Sequence, residues 1–148
     1  MTAALPDKLQ SLVDELAAIG DLEDKYLMLI ELGEQIPDIP ADRKTEACLI
    51  HGCQSVVHAY ATVEDGKLRL HGYADAKIVN GLLALLVLGL DGLTPQEFLA
   101  VDPKFIERTG VIKTLTPSRV NGFYNIHEKF KAEALIALGK MEGLEGRK

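Results

Sequence analysis

Leu9, Leu12, Val13 and Leu16 recur at i, i+3, i+4 and i+7, which is one apolar face of an α-helix, and Gly20 follows as a stop. Asp21 is placed to cap a second helix, with Glu23 and Asp24 suited to its positive end. That helix carries Tyr26, Leu27, Leu29, Ile30 and Ile36, and Pro37 ends it. The stretch PDIPADRKTEA is polar and punctuated by proline, which predicts an irregular connection. Across residues 55–73 the period changes to two. Asp65-Gly66 is a two-residue turn signal, because a type I′ turn needs positive φ at both positions. With the turn there, Val63 faces Leu68 and Ala61 faces Leu70, and with Val57 and Ala59 they form one apolar face. The other face is mixed: Val56, His58, Tyr60, Thr62, Arg69, His71 and Tyr73.

Asp75 or Ala76 opens a third helix that is leucine-rich on nearly every side, and it is therefore expected at the centre of the core. Thr94-Pro95-Gln96-Glu97 is a capping box with proline at the first helical position, and Thr116-Pro117 repeats the cap-plus-proline start. The last helix, with Val120, Phe123, Tyr124, His127, Phe130 and Ala134 at helical spacing, is expected to run to about Leu138. Helices around a single hairpin predict an α+β fold: a small antiparallel sheet covered on one face by helices. Residues 1–138 are read as a single domain and 139–148 as a flexible tail.

Composition narrows the function. At 148 residues the chain can bury a real core, and 47% hydrophobic with 26% charged residues is a globular balance. A net charge of −6 without a Lys/Arg run argues against nucleic-acid or anionic-membrane binding. The apolar run over 78–90 falls short of the roughly 20 residues that span a bilayer. The opening MTAALPDKLQ lacks a secretory signal pattern, and two cysteines do not make an extracellular disulfide framework. The expectation is a cytoplasmic protein with reduced thiols.

Candidate chemistry concentrates in LIHGCQSVVH. Cys53 follows Gly52 in the loop entering the hairpin, where glycine allows a tight turn that projects the next side chain outward. It reads either as an accessible nucleophilic thiol or as a small buried residue. Cys48, His51, Cys53 and His58 are all zinc-competent types, but C-x2-H-x-C-x4-H matches no standard finger or ribbon. A Cys48–Cys53 disulfide would be a transient redox feature in a reducing compartment. His58, His71 and His127 read as sheet-face or helix-surface residues. Arg119 sits in the first turn of the last helix, at the positive end of its dipole. It is either a screened surface cation or one kept there to face an anion.

The segments HGCQSVV, ADAKIVNGLLALL, TPQEF and LTPSRVNG, with EDKYLMLIELGEQIP in the second helix, resemble the SufE family of sulfur-acceptor proteins, which includes the related CsdE. The resemblance spans residues 5–138 in order. It implies a SufE/IscU-like fold and a protein acting with a SufS-type, PLP-dependent cysteine desulfurase. The desulfurase would hold sulfur as a persulfide. The family's loop cysteine, matching Cys53, would take that sulfur and pass it toward iron–sulfur scaffold proteins, while also stimulating the desulfurase. The family's arginine matches Arg119, and Gly52, Gln54 and Ser55 belong to the same motif. The resemblance implies no cofactor or metal on this chain, which would be a sulfur acceptor and activator rather than a self-contained enzyme, as a monomer or weak homodimer. Two positions depart from the family pattern: His58 stands where the family usually has Trp, and Cys48 where it usually has Asn. With His51 and Asp75 they are candidates for tuning the loop. The alternative is a metal-binding or scaffold-like module using Cys48, His51 and Cys53.

Overall fold

The computed structural model describes residues 4–51 and 55–145. Helix α1, Asp7–Ala18, buries Leu9, Val13 and Leu16. It ends in an extended Ile19, before Gly20. Helix α2, Leu22–Glu34, starts as expected at Asp21, whose carboxylate accepts the Asp24 N–H at 3.1 Å. The connection that follows contains single 3-10 turns at Ala41–Arg43 and Glu46–Cys48. Strands β1, Val57–Glu64, and β2, Lys67–Ala74, form the expected antiparallel hairpin with Val63 opposite Leu68 and Ala61 opposite Leu70. Asp65 and Gly66 take φ values of 53° and 77°, the conformation that selects an Asp-Gly turn.

Helix α3, Lys77–Leu90, is the central element, packed by α1, α2, β2 and the last helix. Its residue Asn80 is buried and bonded through both polar atoms of its side chain: the oxygen accepts the Ala74 N–H at 3.0 Å, and the amide nitrogen donates to Gly33 O at 3.0 Å. A short helix α4, Pro95–Leu99, has the expected capping box. Helix α5, Ile106–Thr109, lies between 3-10 turns at Pro103–Phe105 and Val111–Thr114. Helix α6 is Pro117–Glu145. The architecture is α+β, with a two-stranded sheet and helices on its apolar face. Among the described residues no helix is long and apolar enough to cross a membrane.

Four features differ from the sequence reading. Helix α6 continues past Leu138; Lys140 and Met141 are good helix formers, and Met141 reaches the hairpin turn at Gly66. Val63, expected on the buried face, is half exposed because it lies at the hairpin tip, whereas Leu68 opposite it is fully buried. The mixed face is partly covered: Ile39 and Cys48 fold back onto Tyr60 and Tyr73 as a second small core, while Val56 and Arg69 stay exposed. Arg43 lies 4.4 Å from the Tyr60 ring centre, and His71 stacks on the same tyrosine at 4.8 Å. His127, read as a helix-surface residue, is buried against Phe98 at 5.5 Å, because it shares the apolar face of Phe123 and Phe130.

Neither ring nitrogen of His127 has a hydrogen-bond partner among the described residues. Burial pushes its pKa below the ordinary histidine value of 6.5, and burial acts on His71 in the same direction. The unfolded chain therefore binds protons first as the pH falls, so this contribution is complete above 6.5 and is lost on acidification toward the folded-state pKa. The urea midpoint should drop between pH 7.5 and pH 5 (about these values suffice), and His127→Phe should flatten that dependence. An unaltered slope in His127→Phe would show that His127 does not carry it.

Candidate functional site

The site is assembled where the chain enters the sheet. The Ile50 N–H donates to Val57 O at 2.9 Å, and Leu49 bridges His58 in antiparallel fashion. A sheet-type hydrogen bond thus joins the residues on either side of 51–56, the stretch of sequence that contains Cys53. Gly52, Cys53 and Gln54 themselves lie outside the described residues.

The outgoing end is held from two directions. Asp75 donates its N–H to Val56 O at 3.1 Å and accepts the Val56 N–H on its carboxylate at 3.0 Å. It clamps the loop rather than capping α3, whose N-cap is Ala76, without a side-chain cap. Arg119, in the first turn of α6, donates from Nη1 to Ser55 Oγ at 3.4 Å, a long hydrogen bond across 64 residues of sequence. The structure therefore brings together Ser55 and Arg119, and places a guanidinium beside a residue two positions after Cys53.

The incoming end carries the other candidates. His51 Nε2 sits 3.0 Å from Glu46 Oε1, and both side chains are exposed. The Cys48 thiol is buried with Ile39 and Tyr60, so it lacks the access a reactive thiol needs. His58 is half-buried opposite Tyr73, in the expected register. Cys48 and His51, proposed partners in a metal set, occupy different environments, and the described residues contain no group of three His, Cys, Asp or Glu able to hold a metal ion.

Sequence reasoning missed Lys129, whose Nζ donates to Ala47 O at 2.7 Å. Nothing in its spacing distinguishes it from a solvated helix position. Asp75 also lines a groove of about 470 Å³, with Ile30, Glu34, Asp38, Tyr73 and Lys77. Lys44 holds the Asp38 carboxyl below its ordinary range through a 3.0 Å contact.

Likeness to known proteins bears on this geometry. Residues 10–134 match the family model described as SufE, Fe-S metabolism associated domain. The chain is 40% identical over 142 residues to an uncharacterized SufE-like protein of Synechocystis, covering 95% of this chain and 89% of that one. It is 38% identical over 133 residues to the cysteine desulfuration protein SufE of Plasmodium vivax, covering 86% of this chain and 53% of the relative. The Plasmodium falciparum protein of the same name is 36% identical over 123 residues, covering 80% and 49%. The chain thus spans about half the length of the two Plasmodium relatives. The solution structure of a hypothetical protein from Thermus thermophilus superposes with a TM-score of 0.80 at 28% identity, covering 92% of this chain and 99% of that one.

Proposed function

Because the chain belongs to the SufE family, we propose that it serves iron–sulfur metabolism as a sulfur carrier, with Cys53 as the carrying residue. The relatives named for cysteine desulfuration point the same way. What supports the residue assignment is the frame on either side of Cys53. The loop's base is closed between Ile50 and Val57, and Arg119 stands at its outgoing end.

In this reading the donor is a persulfide on a PLP-dependent cysteine desulfurase. The Cys53 thiolate attacks the outer sulfur of that persulfide. A new sulfur–sulfur bond forms on Cys53, the desulfurase's sulfur–sulfur bond breaks, and its cysteine leaves as a thiolate. No net oxidation occurs, as in thiol–disulfide exchange. Cys53 then passes the sulfur to an acceptor in cluster assembly. Arg119 favours the anionic sulfur and offsets its own poor placement at the positive end of α6.

The test supplies the desulfurase with isotope-labelled cysteine and follows the label. It should move onto this chain, and alanine release should rise. Label that stays on the desulfurase refutes the reading. Arg119→Ala should slow transfer on the order of tenfold, the scale of a lost charge-stabilising donor, with the fold unchanged. A wild-type rate in that variant would return Arg119 to the role of a surface cation.

A further inference from the structure

We propose that Lys129 is a positioning residue for sulfur transfer, holding the incoming end of the Cys53 loop while Arg119 holds the outgoing end. The role rests on Cys53 being the sulfur carrier. Lys129 and Arg119 lie ten residues apart on α6, a separation of about 15 Å along a helix. Their donors reach Ala47 O at 2.7 Å and Ser55 Oγ at 3.4 Å, on either side of the loop. One turn beyond Lys129, the Glu133 carboxylate accepts the Ala61 N–H at 3.4 Å. That amide lies on the edge of β1 away from β2, where an unpaired donor would otherwise face solvent. Beyond the backbone pairing of Leu49 and Ile50 with β1, helix α6 thus adds side-chain partners for β1 and its approach.

The path from Lys129 to the loop is short. Ala47 is the middle residue of the Glu46–Cys48 turn. That turn is closed by Cys48 N–H to Thr45 O at 3.1 Å and Leu49 N–H to Glu46 O at 3.2 Å. The next residue, Ile50, donates the hydrogen bond that closes the loop. A displaced Ala47 carbonyl therefore reaches the loop's closing bond within three residues. The Lys129–Ala47 contact is at the surface, and its loss leaves the apolar core intact. Its consequence is local: where the loop base sits, and hence where Cys53 meets the incoming sulfur.

The experiment uses the full chain with a cysteine desulfurase and cysteine, comparing Lys129→Met, which keeps much of the aliphatic stem, with Lys129→Arg, which keeps a cationic donor. Transfer is measured against desulfurase concentration. In Lys129→Met the saturating rate should fall about threefold to tenfold, since small displacements of a reacting group are costly. The half-saturating concentration should change less, and Lys129→Arg should recover most of the rate. Exchange of the Ile50 amide hydrogen should quicken on the order of tenfold in Lys129→Met, reporting local opening of the loop base. An unchanged saturating rate overturns the proposal; if half-saturation rises instead, Lys129 is a direct partner contact. Ile50 exchange at the wild-type rate overturns it as well. If the wild-type chain takes up no sulfur, the carrier reading fails and this role fails with it; Ile50 exchange then still reports whether Lys129 anchors the loop.

Discussion

Gly81→Ala should lower the thermal midpoint by about 6 °C, a large effect for adding one methyl group. A Cβ at Gly81 would lie 2.6 Å from the Leu29 carbonyl carbon and closer still to its oxygen. The obstacle is backbone of α2, so no side-chain rotation relieves it. Gly33 lies on the same crossing, where its own Cβ would meet Gly81 N at 3.0 Å. Alanine gains about 1 kcal/mol in helix propensity, while forcing the two helices apart costs about 3 kcal/mol, leaving a net loss of about 2 kcal/mol. The shift would also strain the Asn80–Gly33 hydrogen bond, which ties α2 to the β2 end of the hairpin through Ala74. Gly139→Ala is the control: it lies in α6 with nothing within 4 Å of its Cβ position, so there propensity acts alone and the midpoint should rise slightly. A Gly81→Ala midpoint equal to or above wild type would show that α2 and α3 can separate freely.

The parts of the fold legible in the sequence are those whose signals are local. Asp65-Gly66 demands a left-handed pair, and that turn sets the whole register of the hairpin. Asp21 and Thr94 announce helix starts through the amide groups that they cap. Features set by distant partners were not legible. Lys25 reads as one more charge at the start of α2, yet it is buried, its ammonium donating to Leu16 O and, at 2.9 Å, to Thr109 O. The polar segment before the hairpin reads as an irregular connection, yet its Ile39 and Cys48 are buried against Tyr60 on the second face of the sheet.

The candidate site divides in the same way. Cys53 and Arg119 stand out through the family resemblance, but no periodicity reveals that Arg119 meets Ser55 across 64 residues. Asp75 looks like a helix opener because acidic residues suit helix starts; its carboxylate instead binds the Val56 N–H. Cys48 and His58, where the chain departs from the family pattern, prove to be a buried thiol and a half-buried strand residue. Neither is presented with Ser55 and Arg119. Lys129 has no local signal, since the carbonyl it binds lies 82 residues away.

Cys53→Ser should abolish sulfur acceptance altogether rather than slow it. A serine hydroxyl has no thiolate form at neutral pH and cannot form the new sulfur–sulfur bond, so no fraction of transfer survives through the same step. The fold should be unaffected, because the substitution changes one atom in a loop whose base is held by Ile50, Val56 and Ser55. Cys48 should not substitute, since its thiol is enclosed by Ile39, Tyr60 and Tyr73. The intact mass of the chain after incubation with a cysteine desulfurase and cysteine tests this most directly. A gain of about 32 Da, one persulfide sulfur, should appear on the wild-type chain and be absent from Cys53→Ser. The same gain on Cys53→Ser, mapped to Cys48, would contradict the account.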